Sequence, residues 1–559
     1  MRIVVLLCGA LVGALVLSGC KTNMQEAEAA WFIEDHTTVI KPLWTQWNLA
    51  YWEGTTTGRP EAFEEFEKLQ LDIRRIYSDP NDFARIQALR DSGQVRGARL
   101  ARQLDKLYYS YLQNQIAPDL LEQIVALDAK VQETYNSYRG TIGDEKVTMS
   151  DIYTIMTTEK DVARREAAWR ASKQVGNVII GDFLRLVRLR NEAARRLGFD
   201  NFHTMTVVTG EQDMAEIDRI LTELDRLTAQ PFARLKQELD EILAANYGIA
   251  PERLMPWQYH DPFFQRTPLV YELDLDEYYK GRDIEELTRR FYNAVGLQID
   301  DILARSDLYN REGKYPHAYG FDADREGDVR VLANLQDTER WAETLLHKVG
   351  HALYSKYHDR SEPWLLREPA HSFTTEAAAM IFGRLSRNAA WMQQMLDLSP
   401  EETAKIRTVS ERYLRFQQIL FVRWVLVMWN FEKALYADPD QDLNALWWDL
   451  VEKYQLLRRP PGPADAGWAS KLHFTTAPCY YHNYMLGELL ASQWHHYLVH
   501  EVFGLESDAG VSYVGDERVG AYFRDRVFGP GALYPWNEMI ARSTGEPLTP
   551  KYFVEQFIE

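Results

Sequence analysis

Cysteine is scarce in this sequence, with three residues in 559 positions. Cys8 lies inside an apolar N-terminal segment and Cys20 directly after it, so Cys479 is the only cysteine of the remaining chain. This count excludes the class of small secreted proteins that several disulfides hold together. Stability must come from a hydrophobic core instead. The hydrophobic fraction of 46% is typical of a globular protein.

Positive charge is also in deficit. The chain has 63 lysine and arginine residues against 82 aspartate and glutamate residues, which gives a formal net charge of −19. No run of basic residues forms a stripe. Because an acidic surface repels phosphate backbones, we expect no nucleic-acid partner.

The N-terminus has the features of an export signal. Arg2 precedes an apolar run of fifteen residues, Ile3 to Leu17, and Ser18 and Gly19 then lead to Cys20. The tetrapeptide Leu-Ser-Gly-Cys resembles the lipobox of bacterial lipoproteins, in which the cysteine receives lipid and becomes the new N-terminus. A single transmembrane anchor is the alternative, but it would need a longer apolar run, of about 20 residues.

The lipobox resemblance divides the chain into three parts. We expect a lipoprotein signal peptide at residues 1–19, a lipidated tether at residues 20–28, and one large domain at residues 29–559. Lipid on Cys20 would attach the protein to a membrane of the bacterial cell envelope. Lys21 stands where aspartate usually retains lipoproteins in the inner membrane, so in a Gram-negative host we expect the outer membrane, with the protein facing the periplasm.

Apolar residues recur at three- and four-residue spacing over much of the chain, which predicts helices. Clear examples are residues 61–77, 100–111, 120–138, 164–171 and 180–197. Polar and apolar residues alternate at 327–335, which predicts a strand. The loop-like stretches at 248–267 and 459–467 are too short to prove a domain boundary. We therefore predict a mostly α protein with one large helical body, and leave open whether it has two lobes.

One helical segment, Trp341–Lys356 (WAETLLHKVGHALYSK), places His347 and His351 four residues apart. Residues at this spacing share a helix face, so both imidazoles can reach one ion. Such a pair is weak evidence alone in a chain with 13 histidines. His496 and His500 form a second pair, and we interpret that pair as structural.

The first pair has a matching acid. Glu376 follows His351 by 25 residues and lies in another predicted helix. Two histidines and one glutamate form a ligand set of catalytic zinc, in which a fourth position stays open. This set therefore predicts a Zn²⁺ site.

Four further segments carry a family resemblance. They are NEAARRLGF (191–199), HAYGFD (317–322), KLHF (471–474) and YHNYMLGELLAS (481–492). With the histidine helix and Glu376, they resemble the M2 peptidases, the family of angiotensin-converting enzyme, and the related M3 oligopeptidases such as thimet oligopeptidase. The resemblance runs from about residue 150 to 500 and implies a zincin-type helical body with a deep central channel, minor β structure near 317–335, and oligopeptide ligands.

The resemblance also assigns roles to individual residues. The implied zinc ligands are His347, His351 and Glu376. The implied hydrogen-bond donors to the oxyanion of the intermediate are His473 and Tyr484. The implied contacts to the terminal carboxylate of the peptide are Lys471, Tyr481 and Gln258, and those to its backbone are His317, Ala318 and Gly320.

Two features depart from the family pattern near these residues. The spacing from His473 to the tyrosines differs by one residue, so which of Tyr481 and Tyr484 serves which role stays open. Aromatic core packing is the alternative interpretation of both tyrosines. Met380 stands where the converting enzyme has an aspartate that supports the zinc ligands.

The largest departure is Lys348. In the H-E-x-x-H motif, a glutamate follows the first histidine and takes the proton of the attacking water. A protonated lysine cannot do so, and at ~5 Å with an effective dielectric near 20 it would repel Zn²⁺ by roughly 6–7 kcal/mol as an upper bound. A neutral lysine, with its pKa lowered by burial and by the metal, could still act as a base.

These observations leave three hypotheses. The chain is a zinc peptidyl-dipeptidase or oligopeptidase of the cell envelope, or a pseudo-peptidase that binds peptides without cutting them, or a purely structural lipoprotein. Lys348 favours the second hypothesis, whereas the retained ligand set, His473 and Tyr484 favour the first. The third gives no reason for so many matching polar residues.

Overall fold

The computed structural model describes residues 24–268, 270, 274–462 and 465–558. The expected signal peptide and the lipidation site Cys20 lie outside the described residues. None of the helices in the described part is long and apolar enough to cross a membrane.

Helices dominate the structure. They are α1 (Met24–Thr57), α2 (Pro60–Tyr77), α3 (Pro80–Asp91), α4 (Ala98–Leu112), α5 (Pro118–Ser137), α6 (Met149–Thr158), α7 (Val162–Arg196), α8 (Phe202–Thr209), α9 (Met214–Tyr247), α10 (Asp276–Tyr279), α11 (Ile284–Ala294), α12 (Asp300–Arg305), α13 (Glu339–Lys356), α14 (Ser372–Gly383), α15 (Ala389–Leu396), α16 (Pro400–Ala437), α17 (Leu443–Gln455), α18 (His473–Thr476), α19 (His482–Tyr497), α20 (Glu517–Tyr522), α21 (Trp536–Thr544) and α22 (Lys551–Phe557). The prediction of a mostly α body is confirmed.

Two short antiparallel hairpins complete the secondary structure. Strand β1 (Gly140–Ile142) pairs with β2 (Glu145–Val147), and β3 (Tyr319–Asp322) pairs with β4 (Val329–Leu332). The second hairpin lies within the residues for which minor β structure is predicted. The first hairpin has no counterpart among the sequence predictions.

The long helices pack around two hydrophobic cores. The larger core includes the fully buried Phe183, Leu345 and Trp424 and draws on α7, α9, α13, α14, α16 and α19. Each large apolar side chain buried there contributes about 1.5–3 kcal/mol. A smaller core, which includes Tyr111, belongs mainly to α1, α3 and α4, and Trp364 extends into it from the body. The described residues thus form two hydrophobic cores of unequal size, and the question of two lobes stays open.

The start of α1 corrects one boundary. Residues 24–28, expected as tether, form its first turns. The reason is local: Glu26 accepts hydrogen bonds from the backbone N–H groups of Arg96 and Gly97, at 2.7 and 3.0 Å, and Ala29 is fully buried. These contacts hold the N-terminal end of α1 on the helices beside it.

Candidate metal centre and peptide cleft

The histidine helix α13 is well defined by its own sequence. The side chain of Thr338 caps it by accepting a hydrogen bond from the N–H of Trp341. Apolar residues line its buried face: Ala342, Leu345, Leu346, Val349, Ala352 and Leu353. Gly350 lets α14 cross at close range, since a methyl group there would lie 2.8 Å from the Cα atom of Ala379. This close crossing brings Glu376 of α14 over the two histidines.

The predicted ligand set converges. The Nε2 atoms of His347 and His351 are 3.2 Å apart, and each lies 3.6 Å from Oε2 of Glu376. Zinc bonds of about 2.0–2.1 Å in a tetrahedron place neighbouring ligand atoms roughly 3.3–3.4 Å apart. The three residues therefore fit a zinc ion with little rearrangement. Among the described residues, no other group of three histidine, cysteine or acidic side chains is arranged to hold a metal.

The imidazoles are held in the state that binds metal. Burial, with the nearby Lys348, keeps the pKa of His347 well below its usual value and lowers that of His351 to about 3. Both rings are therefore neutral at physiological pH. The Nδ1 atom of His351 lies 2.9 Å from the hydroxyl oxygen of Thr375, which accepts a hydrogen bond from Nδ1–H when Nε2 faces the metal.

Lys348 belongs to the same site. Burial lowers the pKa of its ammonium, and the carboxylates of Glu376 and Glu343 act in the opposite direction. Burial likewise raises the pKa of Glu376, and Lys348 lowers it. The lysine thus interacts electrostatically with a metal ligand, as its position in the motif predicts.

Glu343 is a site residue that the sequence interpretation missed. It precedes His347 by one helical turn, and burial raises the pKa of its carboxyl group. A methyl group at Gly383 would lie 3.2 Å from Oε1 of Glu343 and 3.5 Å from Nδ1 of His347, so both groups pack against the same point of α14. The i, i+4 spacing was the available signal. Met380, in the predicted supporting position, lines the cleft instead.

A cavity of about 320 Å³ opens beside the metal centre. Its lining residues are Met380, Gln417, Gln418, Phe421, His473, Tyr481, Tyr484 and Glu488. The ring of His473 lies 4.9 Å from that of Tyr481 and 6.4 Å from that of Tyr484, measured between ring centres. The structure therefore brings together the predicted oxyanion donors, whereas the deep central channel stays a prediction.

The tyrosines differ in their neighbours. Burial raises the pKa of Tyr484, and the charge of Glu376 raises it further, which places its hydroxyl near the metal centre. Tyr481 instead lies against Lys471, whose Nζ atom is 5.1 Å from the ring centre. This arrangement fits Tyr484 as oxyanion donor and Tyr481 as carboxylate contact. Tyr480, which the sequence interpretation missed, also lies near Glu376.

Lys471 is buried, with 7% exposure, and burial lowers its pKa to about 8. Its Nζ atom donates a hydrogen bond of 2.7 Å to Oε1 of Gln265. Gln258, predicted with Lys471 to contact the terminal carboxylate of the peptide, uses its side-chain oxygen to accept the N–H of Met255 at 2.6 Å in a 3₁₀ turn. The structure thus places Gln265, and not Gln258, on the lysine.

The predicted backbone contacts lie at the β3–β4 hairpin. Gly320, in β3, packs directly on α13, since a methyl group there would lie 2.6 Å from the carbonyl oxygen of Lys348. Ala318 packs against the larger core, whereas His317 is exposed and its ring lies 5.2 Å from that of Tyr315. The hairpin edge therefore borders the metal centre, with Gly320 at the point of contact.

The second histidine pair, His496 and His500, contacts neighbouring residues of the chain. Nδ1 of His500 lies 2.7 Å from the carbonyl oxygen of Leu505, and Nδ1 of His496 lies 3.4 Å from a carboxylate oxygen of Glu555.

Comparison with known proteins agrees with this geometry. The family model described as "Peptidase family M3" matches residues 155–558, which include every residue of the metal centre and the cleft. The chain belongs to peptidase family M3. The model described as "Angiotensin-converting enzyme" matches residues 23–257, so the N-terminal part resembles the M2 peptidases. The resemblance to both families is therefore confirmed.

Two similar proteins show how distant the relationship is. Thermostable carboxypeptidase 1 of Pyrococcus furiosus is 22% identical over 257 residues, which cover 41% of this chain and 49% of that protein. An inactive angiotensin-converting enzyme-related protein of Caenorhabditis elegans is 22% identical over 354 residues, which cover 56% of this chain and 38% of that protein. The matches span about half or less of each relative. Membership of family M3, a family of zinc metallopeptidases, indicates a peptidase-type protein.

Proposed function

We propose that this chain is a zinc metallopeptidase-family protein that acts on short peptides in the cell envelope, as a peptidyl-dipeptidase or oligopeptidase of low turnover. The convergence of His347, His351 and Glu376 beside the cleft carries this proposal. Zn²⁺ held there would polarise the scissile carbonyl group and favour ionisation of water. The fit of the three donor atoms to a tetrahedron supports zinc as the cofactor.

The chain's own residues provide the rest of the site. Lys471, with Tyr481 and Gln265 beside it, presents a positive charge for the terminal carboxylate of a peptide. Tyr484 and His473 present donors for the oxygen on which negative charge develops, and each such donor contributes ~3–4 kcal/mol in comparable sites. The edge of β3 offers backbone groups for an extended peptide.

Lys348 determines the rate of peptide hydrolysis that we expect. A lysine takes up a proton only in its neutral form. Burial lowers the pKa of Lys348 toward that form, but the carboxylates of Glu376 and Glu343 oppose this shift and stabilise the charged form. Loss of a positioned general base removes about 10²–10⁴-fold of rate. Slow hydrolysis therefore follows from Lys348, even though the rest of the cleft is in place.

The second candidate is a pseudo-peptidase that binds peptides without hydrolysing them. Lys348 is the observation that favours it, and the relative from Caenorhabditis elegans is named inactive. The two candidates share the metal centre and the cleft. They differ only in whether the protein with Lys348 turns over at all.

Location forms a separate part of the proposal. The Leu-Ser-Gly-Cys segment supports lipid on Cys20 and attachment to a membrane, and Lys21 supports the outer membrane with the protein facing the periplasm. Radioactive palmitate incorporated by the protein, and lost in Cys20→Ser, would support the lipid anchor. Unchanged labelling of the variant would contradict it.

One experiment tests the function directly. The purified protein and its Lys348→Glu variant are assayed for zinc content and for cleavage of an N-blocked tripeptide with a free C-terminus. We expect one zinc per chain, slow release of a dipeptide by the parent protein, and a rise of about 10²–10⁴-fold in the variant. Activity only in the variant would establish the pseudo-peptidase. Equal activity of both would refute the role given to position 348, and absence of zinc from both would refute the metal centre.

A further inference from the structure

A second cavity lies beyond the C-terminal end of α14, the helix that carries Glu376. Its volume is about 110 Å³, and Arg384, Arg387, Arg407 and Ser410 belong to its lining. We call this cavity the rear pocket. It exceeds the ~10–15 Å³ that a cavity needs to hold one water molecule. Its size therefore admits a small ion.

Positive groups predominate in the rear pocket. Three arginines and a single carboxylate, that of Glu411, line it. The carboxylate of Glu339 binds Arg387 at 2.7 and 2.9 Å, and that of Glu488 binds Arg384, but neither of these acids belongs to the lining. Two of the three guanidinium groups thus pair with acids that lie outside the lining of the rear pocket. Each guanidinium carries five N–H donors, so several remain for a ligand.

The favourable placement of arginines at a helix C-terminus explains only some of the residues that line the rear pocket. Arg384 and Arg387 follow the C-terminus of α14, where positive side chains are commonly favourable. Arg407 lies at an exposed position of α16 and forms no ion pair with any residue that the structure describes. Ser410 is 7% exposed, and its hydroxyl group lacks a hydrogen-bond partner within the described chain. Helix-end placement explains neither of these two residues.

Arg384 also has a hydrogen-bond donor that no described residue uses. Its buried Nε atom finds no hydrogen-bond partner among the described residues. Burial lowers the pKa of its guanidinium to about 10, the direction expected for a buried cation. Buried donors without partners commonly mark the position of a bound ion or water.

We propose that the rear pocket binds a small oxyanion of the phosphate class. Arg384 and Arg407 contribute charge-assisted hydrogen bonds, and Ser410 contributes a hydroxyl donor after a small side-chain rotation. The rear pocket shares no lining residue with the cavity at His473, so this anion site is distinct from the peptide cleft.

Isothermal titration of inorganic phosphate into the purified protein tests the proposal, before and after zinc is removed by a chelator. We expect one saturable site per chain in both states. Arg407→Gln should weaken binding by about tenfold or more, because it removes a charged donor. Ser410→Ala should weaken it about threefold to tenfold without changing any charge. Arg412→Gln is the matched control: this arginine lies on the same helix outside the rear pocket, pairs with Glu238 at 3.1 Å, and should leave binding unchanged.

Three results would overturn the proposal. The first is the absence of saturable binding. The second is binding that disappears with the zinc or in Lys471→Gln, because the phosphate would then occupy the metal centre or the peptide cleft. The third is an equal loss in Arg407→Gln and Arg412→Gln, which would indicate non-specific attraction to positive charge on α16.

Discussion

Replacing Glu432 by glutamine should stabilise the protein and change its pH dependence. Glu432 is buried on α16, and its Oε1 atom accepts the N–H of Cys479 at 2.7 Å. Cys479 has a left-handed backbone, with φ of 59°, and directly precedes Tyr480 and Tyr481. The carboxyl group of Glu432 therefore holds the turn from which the tyrosines enter the cleft.

The size of this effect on the free energy of unfolding follows from the burial of Glu432. Burial raises the pKa of Glu432 from 4.5 to about 8, although the N–H of Cys479 and the charge of Arg190 oppose it. Below pH 4.5 the carboxyl group is protonated in both folded and unfolded states and has no effect. Between pH 4.5 and 8 only the unfolded state ionises, so the free energy of unfolding falls by ~1.4 kcal/mol per pH unit. The loss amounts to the order of 3 kcal/mol at pH 7 and 5 kcal/mol at pH 8.

Glutamine keeps the acceptor for Cys479 and removes the ionisation. Urea unfolding followed by tryptophan fluorescence at pH 5, 7 and 8.5 measures the effect, as the difference between Glu432→Gln and the parent protein. This difference should grow with pH up to about 8 and then level off. Glu401→Gln, at an exposed position in the first turn of the same helix, should change stability by less than about 1 kcal/mol. A difference for Glu432→Gln that does not vary between pH 5 and 8.5 would refute the reasoning.

Three further predictions concern the metal centre and the cleft. Thr375→Val removes the acceptor for Nδ1 of His351 and should weaken zinc about 10–100-fold, as measured by competition with a chromophoric chelator. Lys471→Met should weaken peptides with a free C-terminus by about 1.5–3 kcal/mol and leave C-terminally amidated peptides unaffected, as measured by fluorescence anisotropy. In the Lys348→Glu background, Tyr484→Phe should lower kcat about 10²–10³-fold with little change in KM, and an unchanged kcat would remove Tyr484 from the oxyanion site.

Helical periodicity explains why the metal centre could be predicted. Two histidines four residues apart must share a face of α13, and a single acid from a helix that crosses at Gly350 completes the set. Neither relation depends on loop conformation. The same period relates Glu343 to His347, one turn later, but an acid four residues before a histidine is common on helix surfaces and is a weak signal alone.

Loop conformation explains why Gln265 and Tyr480 could not be predicted from the sequence. Gln258 and Gln265 lie seven residues apart in an irregular stretch, and no periodicity decides which of them reaches Lys471. The 3₁₀ turn that uses Gln258 to bind the N–H of Met255 makes that choice. Tyr480 enters the site for a similar reason, since the left-handed Cys479 turns the chain immediately before it.

Lys348 occupies a backbone position that is fixed independently of its side chain. Its carbonyl oxygen packs on Gly320 of β3, where not even a methyl group would fit, and the next turn of α13 packs on α14 through Gly350. These contacts involve backbone atoms only. Any residue at position 348 therefore enters the site from the same point and in the same direction. We therefore expect Lys348→Glu to change one side chain and to leave the backbone in place, so this single substitution is a fair test of whether the remaining cleft is still built for hydrolysis.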